Sequence, residues 1–339
     1  MINGHGDEFS GELKANFSSN VWYGADNAAL YNHLYTCMSL TTRYPETDAA
    51  SLKLDFAKKQ DIKPNQLVVC NGSTEAFYLI AHAFSGKTSL IVSPTFSEYA
   101  DACQMHKHQV HNTKRNQLFE NIIASSPDLV WLCNPNNPDG FCFTVQELKS
   151  LMKKFPQTIF VIDQAYKDFT LNESLKASEI NNYSNLILVQ SLTKRYSIPG
   201  LRLGCLISNE QLIDKINPYR IPWTVNTLAI EAGKYILNNE NGCFPISEWL
   251  NATKIFQAKI NALDSFETTS TETPYFLVHL KKGTAKDLKW FLLGEKILIR
   301  DATNFEGLEG EYIRLCTLSE NKNNLLISKL KIWNQNTIL

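Results

Sequence analysis

Two loops that follow apolar runs carry residues suited to holding a ligand. After Leu67–Cys70 the sequence reads Asn-Gly-Ser-Thr at positions 71–74, a glycine turn that opens a helix. Such a turn presents backbone N–H groups and a positive helix dipole to a phosphate, although the same residues also form an ordinary N-cap. After Leu129–Cys133 come two Asn-Pro steps within five residues, including Asn137. This loop is rigid enough to fix side-chain amides, although a plain turn remains an alternative.

A third apolar run, Ile159–Ile162, ends directly at an aspartate. Asp163 follows the run, and Tyr166 lies three residues further on. An unpaired buried carboxylate is costly, so Asp163 either has a partner or caps a helix.

A lysine follows the fourth run, Leu186–Gln190. Lys194 has hydroxyl side chains one and three residues before it, Thr193 and Ser191, and Arg202 eight residues after it. A lysine is usually a surface residue, but this one lies between two apolar runs that are expected to be buried strands.

The elements that position these residues are predicted to form a three-layer α/β domain with a mostly parallel sheet. The apolar runs are continuous rather than alternating, which is typical of strands buried on both faces. Amphipathic stretches at Thr74–Phe84 and Thr144–Phe155 predict helices between strands. The predicted strands are Leu67–Cys70, Ser89–Val92, Leu129–Cys133, Ile159–Ile162, Leu186–Val189 and Leu203–Ile207.

The four polar segments are therefore expected at one place, because open α/β sheets bind ligands at the carboxyl edge of their parallel strands. Together they offer a phosphate cradle, an asparagine, a buried carboxylate with a tyrosine, and a lysine with an arginine. Pyridoxal 5′-phosphate (PLP) needs this set. Its phosphate needs N–H groups, hydroxyls and an arginine, its aldehyde needs an amine, and its ring nitrogen needs a carboxylate.

Length and composition limit the other possibilities. With 339 residues the chain exceeds the usual size of one core, so two lobes are expected. Strand–helix alternation followed by a mixed pattern in the C-terminal third predicts a large domain (41–225) and a small α+β domain (226–339), with an N-terminal segment (1–40) that packs with the small domain. A net charge of −1 gives no basic surface for nucleic acid. The eight cysteines show no metal-ligand spacing, and no apolar run is long enough to span a membrane. A cytoplasmic protein without a metal is expected.

At these residues the chain resembles the fold-type I PLP enzymes, the aspartate aminotransferase superfamily. The resemblance implies that Lys194 holds the cofactor as a Schiff base and that Asp163 contacts its ring nitrogen. It further implies that Asn137 and Tyr166 contact its phenolic oxygen, and that Phe96 stacks on its ring. The implied phosphate ligands are Gly72, Ser73, Thr74, Ser191, Thr193, Arg202 and, from the neighbouring subunit of a homodimer, Tyr44.

Within this superfamily the chain is similar to the threonine-phosphate decarboxylases and the histidinol-phosphate aminotransferases. The stretch Gly4-His5-Gly6-Asp7, the segment ending at Asn20, and the segment from Leu298 to Arg314 resemble the decarboxylase group. The resemblance implies a small phosphorylated amino substrate held by His5, Asn20, Arg300 and Arg314. The implied activity is decarboxylation of L-threonine O-3-phosphate to aminopropanol phosphate for cobalamin biosynthesis. Class I/II transamination of histidinol phosphate or a related compound is the alternative.

Overall fold

The computed structural model describes residue 9 and residues 11–239 and 244–338. Predicted residue His5 lies outside this range. The strands of the described residues are β1 Ala15–Asn16, β2 Leu67–Asn71, β3 Thr88–Ser93, β4 Gln109–Lys114, β5 Leu129–Cys133, β6 Ile159–Asp163, β7 Leu186–Ser191, β8 Leu203–Ser208, β9 Phe266–Thr268, β10 Tyr275–Leu280, β11 Ile297–Leu298, β12 Arg300–Asp301 and β13 Tyr312–Cys316.

The helices of the same ranges surround these strands. They are α1 Ala28–Thr36, α2 Ala50–Gln60, α3 Gly72–Ala83, α4 Glu98–Met105, α5 Leu118–Ser125, α6 Val145–Lys154, α7 Glu210–Ile216, α8 Thr227–Asn239, α9 Ile246–Asn261, α10 Ala285–Gly294 and α11 Glu320–Ile338.

Seven strands form the central sheet in the order β2-β8-β7-β6-β5-β3-β4. Neighbouring strands are parallel except at β8, which runs antiparallel to β2 and β7. The carboxyl ends of β2, β5, β6 and β7 therefore lie at one edge, together with the amino end of β8. This arrangement brings Arg202, which directly precedes β8, to the same edge as Lys194, which follows β7.

Both faces of the central sheet are buried, which explains the continuous apolar runs. Leu67 and Val69 of β2 belong to one core cluster, while Val68 and Cys70 belong to the cluster on the opposite face. The α/β class with a mostly parallel sheet and covering helices is confirmed, and all six predicted runs lie within strands.

A second, antiparallel sheet with the order β12-β13-β10-β9 packs with α9, α10 and α11 around a separate core. The N-terminal segment reaches this part of the chain, because Ala15 and Asn16 pair in parallel with Ile297 and Leu298. Phe17, fully buried, belongs to the same core.

The predicted domain boundary at residue 226 stays a prediction. Helix α8 follows it, yet Ala229 and Ile230 of this helix belong to the core cluster of the central sheet, with Leu52 of α2. Helix α8 therefore packs in part against the core of the central sheet.

Two further features bear on the sequence predictions. Among the described helices, none combines the length and the apolar character that crossing a membrane requires. The cysteines of the described ranges are free, and six of these seven are buried.

Candidate active site

A cavity of about 390 Å³ opens at the edge of the central sheet where the polar segments meet. Residues from both sheets line it, which agrees with the expectation that the site collects the ends of several strands. The predicted site residues that line it are Asn20, Gly72, Ser73, Thr74, Phe96, Asn137, Asp163, Tyr166, Ser191, Thr193, Lys194, Arg202, Arg300 and Arg314.

Tyr44 is not among the residues that line the cavity. Its side chain is 85% exposed, and its ring contacts Trp223 with a centroid distance of 5.2 Å. Trp223 is itself 48% exposed. Within one chain, these two rings therefore form part of an apolar surface outside the cavity.

One end of the cavity is shaped to hold an anion. Gly72, the first residue of α3, has φ +76°, and a β-carbon there would lie 2.5 Å from Nη2 of Arg202. Gly204 on β8 allows the start of α3 to approach, because a β-carbon at that position would lie 2.6 Å from the backbone nitrogen of Ser73. The helix N-terminus and the guanidinium thus converge on the same space.

Two hydroxyl groups complete this end of the cavity. The Oγ of Ser191 and the Oγ1 of Thr193 lie 2.8 Å apart, and the backbone N–H of Thr193 donates to Ser191 Oγ at 3.2 Å. These bonds fix the turn that leads from β7 to Lys194, which is half-buried. A phosphate here would meet hydroxyls, N–H groups and an arginine.

Asp163 lies at the end of β6 and is almost fully buried. The hydroxyl of Tyr99 donates to its Oδ2 at 2.6 Å, and the backbone N–H of Ala165 donates to its Oδ1 at 2.9 Å. Burial raises the pKa of Asp163 to about 6, whereas these two hydrogen bonds and the charge of Lys194 oppose the shift. The carboxylate is therefore fixed in orientation and favours a positively charged partner.

Arg314 and Asn137 connect the two sheets. The Nη1 group of Arg314 on β13 donates to Oδ1 of Asn137 at 2.5 Å, and its Nη2 group donates to the backbone carbonyl of Ser18. Because the oxygen of Asn137 is used by the arginine, its NH₂ group is the part that can donate to a ligand. Burial lowers the pKa of Arg314, with the Tyr166 phenol opposing the shift.

Aromatic side chains form the walls of the cavity. The ring of Tyr166 contacts Tyr275 at a centroid distance of 4.8 Å, and the half-buried ring of Phe96 packs edge-to-face on Tyr99 at 5.9 Å. Burial raises the pKa of the Tyr166 phenol, an effect that the charge of Arg314 opposes. The phenol therefore stays protonated at neutral pH and can donate a hydrogen bond.

Arg300 lies opposite Arg314 in the pairing of β12 with β13. Its Nη2 group donates to Oδ1 of Asn304 at 2.9 Å, and its guanidinium lies 5.3 Å from the centroid of the Phe305 ring. The cavity thus has two arginines at the end formed by the smaller sheet, one buried and one half-buried.

Several buried polar atoms of the site lack a hydrogen-bond partner within the described part of the chain. They are both side-chain polar atoms of Asn20, which is 2% exposed, and Nε of Arg314. Buried polar groups in folded proteins are normally satisfied. A polar ligand in the cavity would supply these partners.

Comparison with known proteins identifies the family of the chain. The family model described as aminotransferase class I and II matches residues 15–330. The chain belongs to this family.

Individual members of the family cover nearly the whole chain. The threonine-phosphate decarboxylase of Salmonella typhimurium is 28% identical over 328 residues, which are 93% of this chain and 90% of that protein. The crystal structure of L-threonine-O-3-phosphate decarboxylase from Porphyromonas gingivalis is similar with a TM-score of 0.92 at 40% identity, covering 95% of this chain and 99% of that one. The histidinol-phosphate aminotransferase from Clostridium acetobutylicum gives a TM-score of 0.85 at 27% identity, covering 95% and 99%.

Family membership confirms PLP as the cofactor, and the residues of the cavity fit it. The space beside Gly72 that a β-carbon would fill suits a phosphate, and the buried carboxylate of Asp163 suits a protonated ring nitrogen. Lys194 lines the cavity together with these residues, and its amine suits the aldehyde of the cofactor. The individual residue roles remain predictions.

The sequence reasoning missed two residues of this class I and II aminotransferase site. Tyr99 holds Asp163, and the buried carboxyl group of Glu98, which lines the cavity, accepts a hydrogen bond from the Tyr78 hydroxyl at 2.8 Å. Both lie in α4, directly after the predicted stacking residue Phe96. The sequence signal that could have indicated this helix is Ser97, its N-cap residue, which follows a proline and an aromatic residue.

Proposed function

We propose that this protein is a PLP-dependent decarboxylase that converts L-threonine O-3-phosphate into aminopropanol phosphate. The observation that carries the proposal is the pair of arginines in the cavity, Arg300 and Arg314, opposite each other across β12 and β13. A substrate with one carboxylate and one phosphate needs two such groups. The similarity to two threonine-phosphate decarboxylases, one of them 40% identical, supports this choice.

In this proposal the residues of the large sheet hold the cofactor. Lys194 binds its aldehyde, Asp163 keeps its ring nitrogen protonated, and Asn137 and Tyr166 donate to its phenolic oxygen. Phe96 stacks on its ring, while the start of α3, Ser191, Thr193 and Arg202 bind its phosphate. When bound, PLP supplies an electron sink for the bond that breaks at the α-carbon of the substrate.

The residues of the smaller sheet orient the substrate. Arg314 is buried, so it holds the carboxylate with little competition from water, and Arg300 receives the phosphate. Asn20, whose amide lacks partners in the described chain, donates to the substrate as well. His5 is assigned to the phosphate by resemblance alone, because it lies outside the described residues.

Substrate orientation decides between loss of CO₂ and loss of the α-proton. With PLP bound, the two arginines would set which bond at the α-carbon is oriented for cleavage, because they fix the two anionic ends of the substrate. Histidinol phosphate has a phosphate but no carboxylate, so it would leave Arg314 unpaired. Transamination of histidinol phosphate or a related compound is the second candidate, supported by the 27% identical aminotransferase structure.

The test of the proposed activity is to incubate the holoenzyme with threonine phosphate and measure CO₂. A parallel reaction contains histidinol phosphate and 2-oxoglutarate, with glutamate as the measured product. We expect CO₂ from the first reaction and little glutamate from the second. Glutamate formation without CO₂ release would identify the protein as an aminotransferase instead.

The role of Arg300 has its own test. Arg300→Gln removes the charge, so kcat/KM for threonine phosphate should fall about 10- to 150-fold, the loss of one charge-assisted contact of roughly 1.5–3 kcal/mol. Slow decarboxylation of unphosphorylated L-threonine should stay unchanged, since that substrate has no phosphate. The matched control Arg115→Gln changes an arginine that is paired with Asp139 and does not line this cavity. Equal loss with both substrates would contradict the assignment.

We also propose that the protein is a cytoplasmic homodimer with a small C-terminal domain. The exposed aromatic pair Tyr44 and Trp223 supports a second copy of the chain as the partner on this surface. Such a dimer would bring Tyr44 of each subunit to the cofactor phosphate of the other, as the resemblance implies.

A further inference from the structure

Three side chains that commonly bind metal ions meet where α1 packs on α8. His33 lies in the last turn of α1, Cys37 is its C-cap residue, and Glu231 lies in the second turn of α8. Their ligand atoms all lie within 4.8 Å of one another. This cluster is separate from the cavity described above, and none of its residues lines that cavity.

Two of the three distances between the ligand atoms are close to those around a single small cation. The Sγ of Cys37 lies 3.7 Å from Nε2 of His33, and this nitrogen lies 3.8 Å from Oε2 of Glu231. A tetrahedral zinc ion with ordinary bond lengths separates sulfur from nitrogen by about 3.6 Å and nitrogen from oxygen by about 3.4 Å. These two distances need changes of only a few tenths of an ångström to match, and the third pair, Cys37 Sγ and the Glu231 carboxylate, lies within 4.8 Å.

The surroundings orient the histidine and the glutamate. The ring of His33 stacks on Tyr235 at a centroid distance of 4.8 Å. The other carboxylate oxygen of Glu231, Oε1, lies 3.0 Å from Nζ of Lys234, which leaves Oε2 directed at the histidine. The carboxyl end of α1 adds a partial negative charge that favours a cation at this position.

The packing on either side keeps the two helices in place. Leu30 and Leu34 of α1 lie in one apolar cluster with Ala232 and Ile236 of α8. His33 and Cys37 flank this contact, so their approach to Glu231 follows from the packing of two helices rather than from mobile surface side chains. The cysteine is buried, while the side chains of His33 and Glu231 are 30% and 17% exposed.

We propose that His33, Cys37 and Glu231 form a binding site for a zinc-type divalent cation. Binding releases the thiol proton of Cys37 to solvent, and the thiolate, the neutral imidazole and the carboxylate each supply one ligand atom. Water takes the fourth position, on the side where the histidine and the glutamate are exposed. The ion clamps α1 to α8 and so stabilises the segment that leads from α1 towards Tyr44.

The spacing of cysteines in the sequence gave no indication of this cluster. His33 and Cys37 are four residues apart on one helix face, but the third ligand lies 194 residues beyond Cys37. Only the packing of α1 on α8 brings the carboxylate to the other two groups.

The experiment titrates the chelator-treated holoenzyme with Zn²⁺ in competition with a chromogenic chelator and follows Tm in parallel. We expect one zinc ion per chain and, at roughly 100 times Kd, a rise in Tm of about 4 °C. His33→Gln, Cys37→Ser and Glu231→Gln should each weaken zinc binding at least tenfold and, at the same zinc concentration, reduce the rise in Tm to about 2 °C or less. Each variant is compared with its own Tm in chelator, so a change in basal stability does not affect the outcome.

Two control variants remove comparable groups elsewhere. Cys142→Ser changes a half-buried thiol and His111→Gln an exposed imidazole, and both should bind zinc as the unaltered protein does. Zinc binding that persists in all three cluster variants would overturn the proposal, as would binding lost in a control variant. Substoichiometric binding without a rise in Tm would overturn it as well. Glu231→Gln preserves the shape of the side chain, so the test stands even where Cys37→Ser folds poorly.

Discussion

Adding one methyl group at Gly72 should weaken cofactor binding in addition to its cost to the fold. The new β-carbon of Gly72→Ala would lie 2.5 Å from Nη2 of Arg202. The guanidinium is the far end of a flexible side chain, so it can move aside. To restore a carbon–nitrogen contact of about 3.5 Å it must move by about 1 Å, which breaks a hydrogen bond to a phosphate oxygen.

The magnitude divides into a cost to folding and a cost to binding. An alanine at φ +76° costs about 1–2 kcal/mol of folding stability wherever it occurs. The displaced guanidinium costs one charge-assisted contact with the cofactor phosphate, roughly 1.5–3 kcal/mol, which is a 10- to 150-fold rise in the Kd of PLP. Gly86→Ala is the control for the folding cost alone, because Gly86 has φ +75° and an added β-carbon there would have no atom within 4 Å.

The assay compares Gly72→Ala with Gly86→Ala. The Kd of PLP is measured by absorbance titration of each apoprotein, and the free energy of unfolding by urea denaturation. We expect similar losses of stability in both variants and a weakened PLP affinity in Gly72→Ala alone. If Gly72→Ala binds PLP as tightly as Gly86→Ala does, then Arg202 does not hold the cofactor phosphate.

Four further predictions concern single residues. Lys194→Ala should abolish the absorbance of the cofactor Schiff base, and borohydride reduction of the unaltered holoenzyme should label the peptide with Lys194; label on another lysine would show that the assignment is wrong. Tyr99→Phe removes a hydrogen bond that lowers the pKa of Asp163, so the acidic limb of the pH profile of kcat/KM should move to higher pH. If the limb does not move, the protonation of Asp163 does not control the rate. In the apoprotein, burial raises the pKa of Asp163 from 3.8 to about 6, so between these pH values the folded state keeps a proton that the unfolded state has lost. The free energy of unfolding, measured by urea denaturation, should therefore fall by about 3 kcal/mol as pH rises through this window. Asp163→Asn should remove this fall, and an equal pH dependence in both proteins would disprove the prediction. Mixing Tyr44→Phe with Lys194→Ala subunits should give hybrid dimers with one intact site and restore activity, whereas a fully active monomer in sedimentation would refute shared sites.

The sequence predicted the central sheet well where burial is complete. Strands β5, β6 and β7 are apolar at nearly every position because helices cover both faces. Strand β4 was not predicted because it lies at the edge of the sheet. Of its six residues only Thr113 is buried. A polar hexapeptide of this kind has no apolar pattern that would mark it as a strand.

The residues of the site were predictable where they follow strands, because the carboxyl edge of a parallel sheet collects them. The reversed direction of β8 was not predictable from its apolar composition, yet this direction brings Arg202 beside Gly72. The partner of Asp163 could not be read from the sequence either. Tyr99 lies 64 residues before it, and their hydrogen bond depends on how α4 packs against the central sheet.

The reactivity of the buried cysteines can report when each of the two sheets opens. Burial raises the pKa of Cys205 and of Cys316 to about 12, so neither is a reactive thiolate while its sheet is intact. Cys205 lies on β8 of the large sheet and Cys316 on β13 of the small one. A thiol reagent followed by peptide mapping therefore gives each sheet its own rate of exposure. Equal rates mean that the two sheets open as one cooperative unit, and unequal rates identify the sheet that opens first.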